Sequence, residues 1–480
     1  MVLFWLSISL MTVFSSAYDT VTVRTKLGEV LGLRRMVLGK DLYEFRKIPY
    51  ARPPVGNLRY EKPQPYGSWE IWIHGGSYAS GQGSLNDGAM LAVTGDVIIL
   101  TINYRLNIFG FLSLDGLPGN YGLWDQIMAI QWVKDNIPSF GGNSKSITIS
   151  GESAGGTSVG LLSIAPLNKG LFQRAILQSG TALSSYAVGK VTKSVSFQAA
   201  AYVNCTDNQA YVLAQCLKEV PASALYSAFR LIQSGTYLQF PLAPVVDGEL
   251  LLDDPLNLMT NSSSGASMFF RSLDVLIGTV SGESSLLILI LKRFEASLVL
   301  TDGIPQKILT NNIAPEISKI CFNNSLHVSA AISRRYSQSF DYMEQTYDIL
   351  NVYSDFIFDV PAVQSLQLHS PTGQDHGRQF HYVFSRESPY PLFGELPAWF
   401  DRNVNGPDLP QWEEYDKING HFINLDTNIS SGQHLHGNRM NFWLEDIPYL
   451  LQDRTSAALN NNYKYPVLIT LTYVLFTFSG

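Results

Sequence analysis

Ser153 sits in Gly151-Glu152-Ser153-Ala154-Gly155, a G-x-S-x-G arrangement. A serine hydroxyl is a poor nucleophile at neutral pH. It needs a base to take its proton, a carboxylate to orient that base, and N–H donors for the oxyanion that forms on the attacked carbonyl. The donors have a source in His74-Gly75-Gly76-Ser77, whose adjacent glycines let neighbouring amides converge on one point. The amide of Ala154, just past the serine, is a further donor. Glu283 is the candidate carboxylate, because it follows the apolar run Asp274-Val-Leu-Ile-Gly278 across a short loop. Taken singly, these are a glycine-rich turn that holds a serine, an ordinary Gly-Gly turn and a loop glutamate. Together they spell acyl transfer to a serine. The base is the weak point. His376, His381, His434 and His436 are the nearest choices in the later part of the chain, and each reads better as a surface or core histidine.

The elements that must hold these groups are legible in the pattern. Ile147-Thr148-Ile149 reads as a buried strand into the serine, and Thr157 to Ile164 as a helix out of it. Strand, glycine-flanked serine and helix make a nucleophile elbow, where a sharp turn leaves no room for side chains beside the serine. Val21 to Leu33 alternates like a hairpin. The prolines between Tyr43 and Gly56 keep that stretch extended. Ile71–Ile73, Val97–Tyr104, Arg174–Gln178, Asp274–Gly278 and Gln379–Phe384 read as buried strands, and Tyr121–Asn136 as a helix. Strands alternating with helices predict a mostly parallel sheet flanked by helices, with its site at the carboxyl ends of the strands.

The 480 residues are 46% hydrophobic and 15% charged, with net charge −7, so the chain is globular and a poor match for nucleic acid. Residues 1–17 are an apolar run ending in Ser-Ser-Ala, as in a secretory signal peptide. Asn204, Asn261, Asn323 and Asn428 begin glycosylation sequons. Cys205 and Cys216 bracket a polar segment that an oxidising compartment could close, leaving Cys321 over. Residues 456–480 run from small residues through a polar spacer to an apolar, uncharged tail. These are the parts of a lipid-anchor signal, and the alternative is a hydrophobic tail that packs on the fold. The main body is then 18–455. The expected partners are a small-molecule ester and, through the tail, a membrane; no cofactor, metal or nucleic acid is expected. The expected location is secreted or at the cell surface.

Several stretches together resemble the type-B carboxylesterase and cholinesterase family of α/β-hydrolases. They are Ile48-Pro-Tyr-Ala-Arg-Pro-Pro-Val-Gly56, Trp72-Ile-His-Gly-Gly76, Asn103-Tyr-Arg105, Phe109-Gly-Phe-Leu112, Gly119-Asn-Tyr-Gly-Leu-Trp-Asp-Gln126, Phe140-Gly-Gly142, Gly151 to Gly160, Arg174 to Gly180 and Pro244-Val-Val-Asp-Gly248. They run in family order. The resemblance implies hydrolysis of carboxylic esters through an acyl-enzyme on Ser153, with Glu283 as the triad acid and the amides of Gly76, Ser77 and Ala154 as the oxyanion hole. It also implies a Cys205–Cys216 disulfide. Two departures stand out. Between Trp69 and Ile71 the chain lacks an intervening family stretch with a Cys-closed loop. Between Phe400 and Asp401 it lacks the element that carries the triad histidine, so no triad histidine is found. The joins are clean, as in a shortened form of an active enzyme. An inactive, adhesion-type homologue of the same fold is the alternative.

Overall fold

The computed structural model describes residues 19–25, 28–46, 48, 51, 56, 59, 60, 62, 71–207, 209–232, 240–284, 304–339, 341–370, 376–386, 410–426 and 428–452. The expected signal peptide, the C-terminal tail and the Phe400–Asp401 join lie outside the described residues, as does Trp69.

Strand β5 (Thr148–Glu152), with Ile149 fully buried, leads into the serine. It pairs in parallel with β4 (Trp72–Ile73) on one side and β6 (Arg174–Gln178) on the other. Parallel pairing continues through β7 (Asp274–Val280), β8 (Gln379–Phe384) and β9 (His421–Leu425). The antiparallel strand β10 (Ser430–Gln433) closes the far side, giving the order β10-β9-β8-β7-β6-β5-β4. The alternation of strand and helix therefore folds as the sequence predicts. β6 and β8 take the expected bounds, and β7 runs two residues further. The hairpin is also present. β1 (Thr20–Thr25) and β2 (Gly28–Val37) pair antiparallel, and β3 (Lys40–Glu44) completes a separate three-stranded sheet.

One expected strand is corrected. Val97–Tyr104 forms only an isolated parallel bridge, Trp72 to Thr101, although the Trp72 amide donates to Leu100 O and the Ile102 amide to Trp72 O. A ladder needs a partner of matching length, and β4 is two residues long. Val97 and Ile98 are correspondingly 46% and 45% exposed. The short partner lies immediately after the first departure from the family pattern.

The helix Tyr121–Asn136 forms as expected. Asp125 on its inner face takes a two-pronged ion pair from Arg105, Nε to Oδ2 and Nη2 to Oδ1, both 2.8 Å. Both side chains are nearly buried, and the pair is supported by the Arg105 amide, which also donates to Oδ2, and by Tyr121 O, which accepts from Arg105 Nη2 at 3.4 Å. Cys205 and Cys216 form a disulfide with Cα atoms 5.8 Å apart. It ties the turn after the helix Thr192–Tyr202 to the helix Ala210–Glu219. Cys321 is not in a disulfide.

Candidate functional site

β5 ends at Glu152, and Ser153 turns the chain into the helix Ala154–Ser163. The turn is strained: Ser153 has φ 54° and ψ −121°, a region that a side chain disfavours. Two backbone bonds hold it there. The Ser153 amide donates to Gln178 O at 2.8 Å, and Ser153 O accepts from the Thr157 amide at 2.9 Å. The flanking glycines are compulsory. A Cβ on Gly155 would lie 1.9 Å from Ile73 O, one on Gly151 2.5 Å from Gly155 C, and one on Gly156 2.7 Å from Gln178 O. The elbow helix is buried along its whole length, so it cannot shift to make room.

The Gly-Gly loop packs on this elbow. A methyl on Gly75 would sit 2.7 Å from Glu152 Oε2 and 3.0 Å from Ser153 Cβ. After it the backbone stays left-handed for three residues, with φ 108° at Gly76, 56° at Ser77 and 59° at Tyr78. Gly76 O accepts the amides of Ala79 and Ser80. The hydrogen bonding of the described residues leaves the amides of Gly76, Ser77 and Ala154 unused. Ala154 opens a helix, whose N-terminus favours negative charge. Ser153, Gly75, Gly76 and Ser77 are all partly accessible, so a small molecule can reach them.

Glu283 lies three residues past β7 and is 8% exposed. Its Oε1 accepts the Val280 amide at 3.0 Å, and the Ser179 hydroxyl donates to its carboxyl. Ser179 follows β6 directly, and its amide donates to Gly278 O at 2.9 Å. The carboxyl ends of β5, β6 and β7 are in register, Glu152 beside Gln178 beside Gly278. Serine, Ser179 and Glu283 thus step across three neighbouring strand ends. Sequence reasoning assigned no role to Ser179. Its signal was its place directly after the β6 run, at a strand's carboxyl end.

Charge at the site is one-sided. Burial pushes the Glu283 carboxyl up to about 8, and Asp359 and Glu152 nearby push the same way. Glu152 is exposed as a residue, yet enough protein surrounds its carboxyl that desolvation raises it to about 7. Asp359, whose Oδ1 accepts from the Thr279 hydroxyl, is raised to about 7 by burial and by Asp355.

The chain has eight histidines, and all eight fall within the described residues. None shares a hydrogen bond or ion pair with Ser153 or Glu283. His74 stacks on Tyr104 at 4.5 Å and holds Gly75 O through Nδ1 at 2.8 Å. His369 is spanned by Gln379 Oε1 and Leu273 O. His376 bonds Gly377 O before β8 begins. His381 is fully buried inside β8, edge-on to Tyr415. His421 pairs with Asp416. His327 is on the exposed face of the helix Leu326–Arg335, and His434 lies at the bend after β10. His436 is 3.9 Å from Asp359 Oδ2, and desolvation keeps it neutral with a pKa of about 4. Among the described residues no cluster of three or more His, Cys, Asp or Glu could hold a metal.

A serine on a strained strand-to-helix turn, at the carboxyl edge of a mostly parallel sheet flanked by helices, defines an α/β-hydrolase. The sequence model of the carboxylesterase family matches residues 19–70 and 71–404, and the chain belongs to that family. Carboxylesterase 5A of Mus musculus is 28% identical over 564 aligned positions, covering 94% of this chain and 93% of its own. An acetylcholinesterase of Leptinotarsa decemlineata is 28% identical over 86% of the chain and 76% of its own. The bile salt-activated lipase of Bos taurus is 33% identical over 68% of the chain and 55% of its own. The first alignment is longer than the 480-residue chain, so the relative carries stretches without a counterpart here. The family match itself divides at residue 70, where the first departure was read.

Proposed function

We propose that this chain is a serine ester hydrolase acting on small carboxylic esters through an acyl-enzyme on Ser153, with its rate held down by the lack of an imidazole at the serine. Gly76, Ser77 and Ala154 supply the oxyanion donors, and Glu283 is the acid. The observation that carries the reading is the close packing of Gly75 against Ser153, with the left-handed residues Gly76 and Ser77 and their unused amides directly after it. Attack by Ser153 Oγ on the ester carbonyl places negative charge where those amides converge. Loss of a triad base costs orders of magnitude in rate, while the oxyanion hole and binding retain part of it.

A fluorophosphonate probe tests the reading. The expected result is slow adduct formation on Ser153, seen by peptide mass spectrometry and abolished in Ser153→Ala. The lack of any histidine at Ser153 and Glu283 favours one second reading, a catalytically silent cell-surface interaction protein of the same fold. A Ser153 that never labels, in a folded protein, would favour that reading. Secretion, with glycans on Asn204, Asn261, Asn323 and Asn428, belongs to the same proposal, supported by the exposure of all four side chains. So does membrane attachment through residues 456–480. A phospholipase that cleaves lipid anchors should release the protein from cells, and retention after treatment counts against the anchor.

A further inference from the structure

We propose that Asn204 is a conditional glycosylation site, open to its transferase only until the Cys205–Cys216 disulfide closes. The proposal rests on the secretion reading above and names what controls one of its four sites. Asn204-Cys205-Thr206 is the sequon, and its middle residue is one half of the disulfide. Cys205 is 3% exposed and belongs to the hydrophobic core, whereas Asn204 and Thr206 on either side of it are exposed. The Cys205 amide donates to Ala200 O at 2.9 Å, and the Asn204 amide to Ala201 O at 3.0 Å. The sequon is thus wound onto the end of the helix Thr192–Tyr202 and pinned to Cys216 in the helix Ala210–Glu219. The other three are built differently. Their middle residues, Ser262, Asn324 and Ile429, are neither cysteines nor buried.

A transferase reads the Asn amide and the hydroxyl two residues on, so it must take the whole tripeptide into its own cleft. Cys205 then has to leave the core, and the backbone has to give up its bonds to Ala200 and Ala201. The closed disulfide opposes this, because lifting Cys205 drags on a helix whose Leu213, Ala214 and Leu217 are buried. The reverse does not hold. The Asn204 side chain points to solvent in the fold, so a glycan already attached leaves the disulfide free to form. Order therefore decides the product. In glycosylation, Asn204 Nδ2 bonds to the anomeric carbon of a lipid-diphosphate-linked oligosaccharide, the C–O bond to the diphosphate breaks, and Nδ2 loses a proton. In oxidation, one thiolate of the pair attacks a disulfide carrier of the oxidising compartment and displaces a thiol. The other thiolate then breaks the mixed disulfide, and the carrier leaves reduced by two electrons. Cys216 follows Cys205 by 11 residues, which is about a second at a synthesis rate of about 5–20 residues per second. Disulfide formation takes seconds or longer, so neither reaction pre-empts the other and the wild-type chain is expected as a mixture.

The test expresses the full-length chain in a secretory cell and reads the occupancy of each sequon by peptide mass spectrometry. An amidase removes the glycans in heavy-oxygen water, which marks each formerly occupied Asn as a labelled Asp. Lower occupancy is expected at Asn204 in wild type than at Asn261, Asn323 and Asn428. Cys216 is the residue to change, because it lies outside the sequon. Cys216→Ser, or dithiothreitol given during synthesis, is expected to raise occupancy at Asn204 at least about 2-fold, since the competing steps share a timescale of seconds, with the other sites unchanged. The readout counts all chains, folded or not, so the variant need not fold. Gly155→Ala, which crowds the elbow and keeps both cysteines, controls for misfolding and should leave Asn204 at its wild-type level. Wild-type occupancy at Asn204 equal to that of the other three, no response to Cys216→Ser, or an equal rise in Gly155→Ala overturns the proposal. If Asn261, Asn323 and Asn428 carry glycans while Asn204 ignores the disulfide, the proposal falls and the secretion reading stands. If none of the four is occupied in any variant, both fall.

Discussion

Ser153 carries both the chemistry and the strain. Its φ of 54° is maintained by Gln178 O on one side and the Thr157 amide on the other. Glycine at this position would relieve the conformation and lose the hydroxyl. Ser153→Gly is therefore expected to abolish probe labelling yet raise stability by about 1 kcal/mol in urea unfolding, the strain relieved being partly offset by the freer unfolded chain. A loss of stability would show that the hydroxyl itself holds the turn. At this scale the sequence was generous for the serine and its loop, because glycine spacing records close backbone approach. It was silent on Ser179 and Asp359, which meet Glu283 only after the strands have been set side by side. The eight histidines illustrate the same limit. Their number and order were readable, but only the fold shows His74 stacked on Tyr104 and His381 sealed inside a strand.

The elbow and its neighbours work as one packed element. Ile73 O, at the end of β4, lies where a Gly155 side chain would go, and Gly180 has the same relation to Ser153 O, 2.3 Å from a built Cβ. Gly155→Ala must push β4 away from the elbow helix. It is expected to cost about 2–3 kcal/mol in chemical denaturation, and to slow Ser153 labelling beyond what the remaining folded fraction explains. Unchanged stability would mean that β4 yields freely. The corrected stretch Val97–Tyr104 bears on this. Its residues have strong strand propensity, and propensity alone predicted a ladder, but pairing depends on a neighbour of equal length. The two-residue β4 offers a single bridge. A chain lacking the family residues before Ile71 loses regular structure on the far side of β4, while β5 to β8, whose partners are intact, fold as their patterns indicate.

On the scale of the whole molecule, buried carboxyl groups set the response to pH. Glu283 and Asp359 are both raised by burial, to about 8 and about 7, above the ordinary carboxylate range that they regain on unfolding. A raised acid binds its proton more tightly in the folded state. Its contribution to stability is complete below the unfolded value, falls as pH rises towards the folded value, and is gone above it. Tm is thus expected to decline between about pH 5 and pH 8, opposite to the trend set by ion-paired carboxylates, and Glu283→Gln should flatten the decline. A Tm that rises across this window would sink the assignment. The general architecture was legible because alternation and glycine spacing are local. This long-range charge balance was not, because Glu283, Asp359 and Glu152 lie far apart in the chain. The protonated Glu283 also makes unfolding a chemical event in the surrounding buffer. At neutral pH each molecule that opens must shed protons, so its heat of denaturation includes the heat of neutralising them. Calorimetry in phosphate and in Tris will then report different enthalpies for the same transition, and their difference counts the protons that the core was keeping.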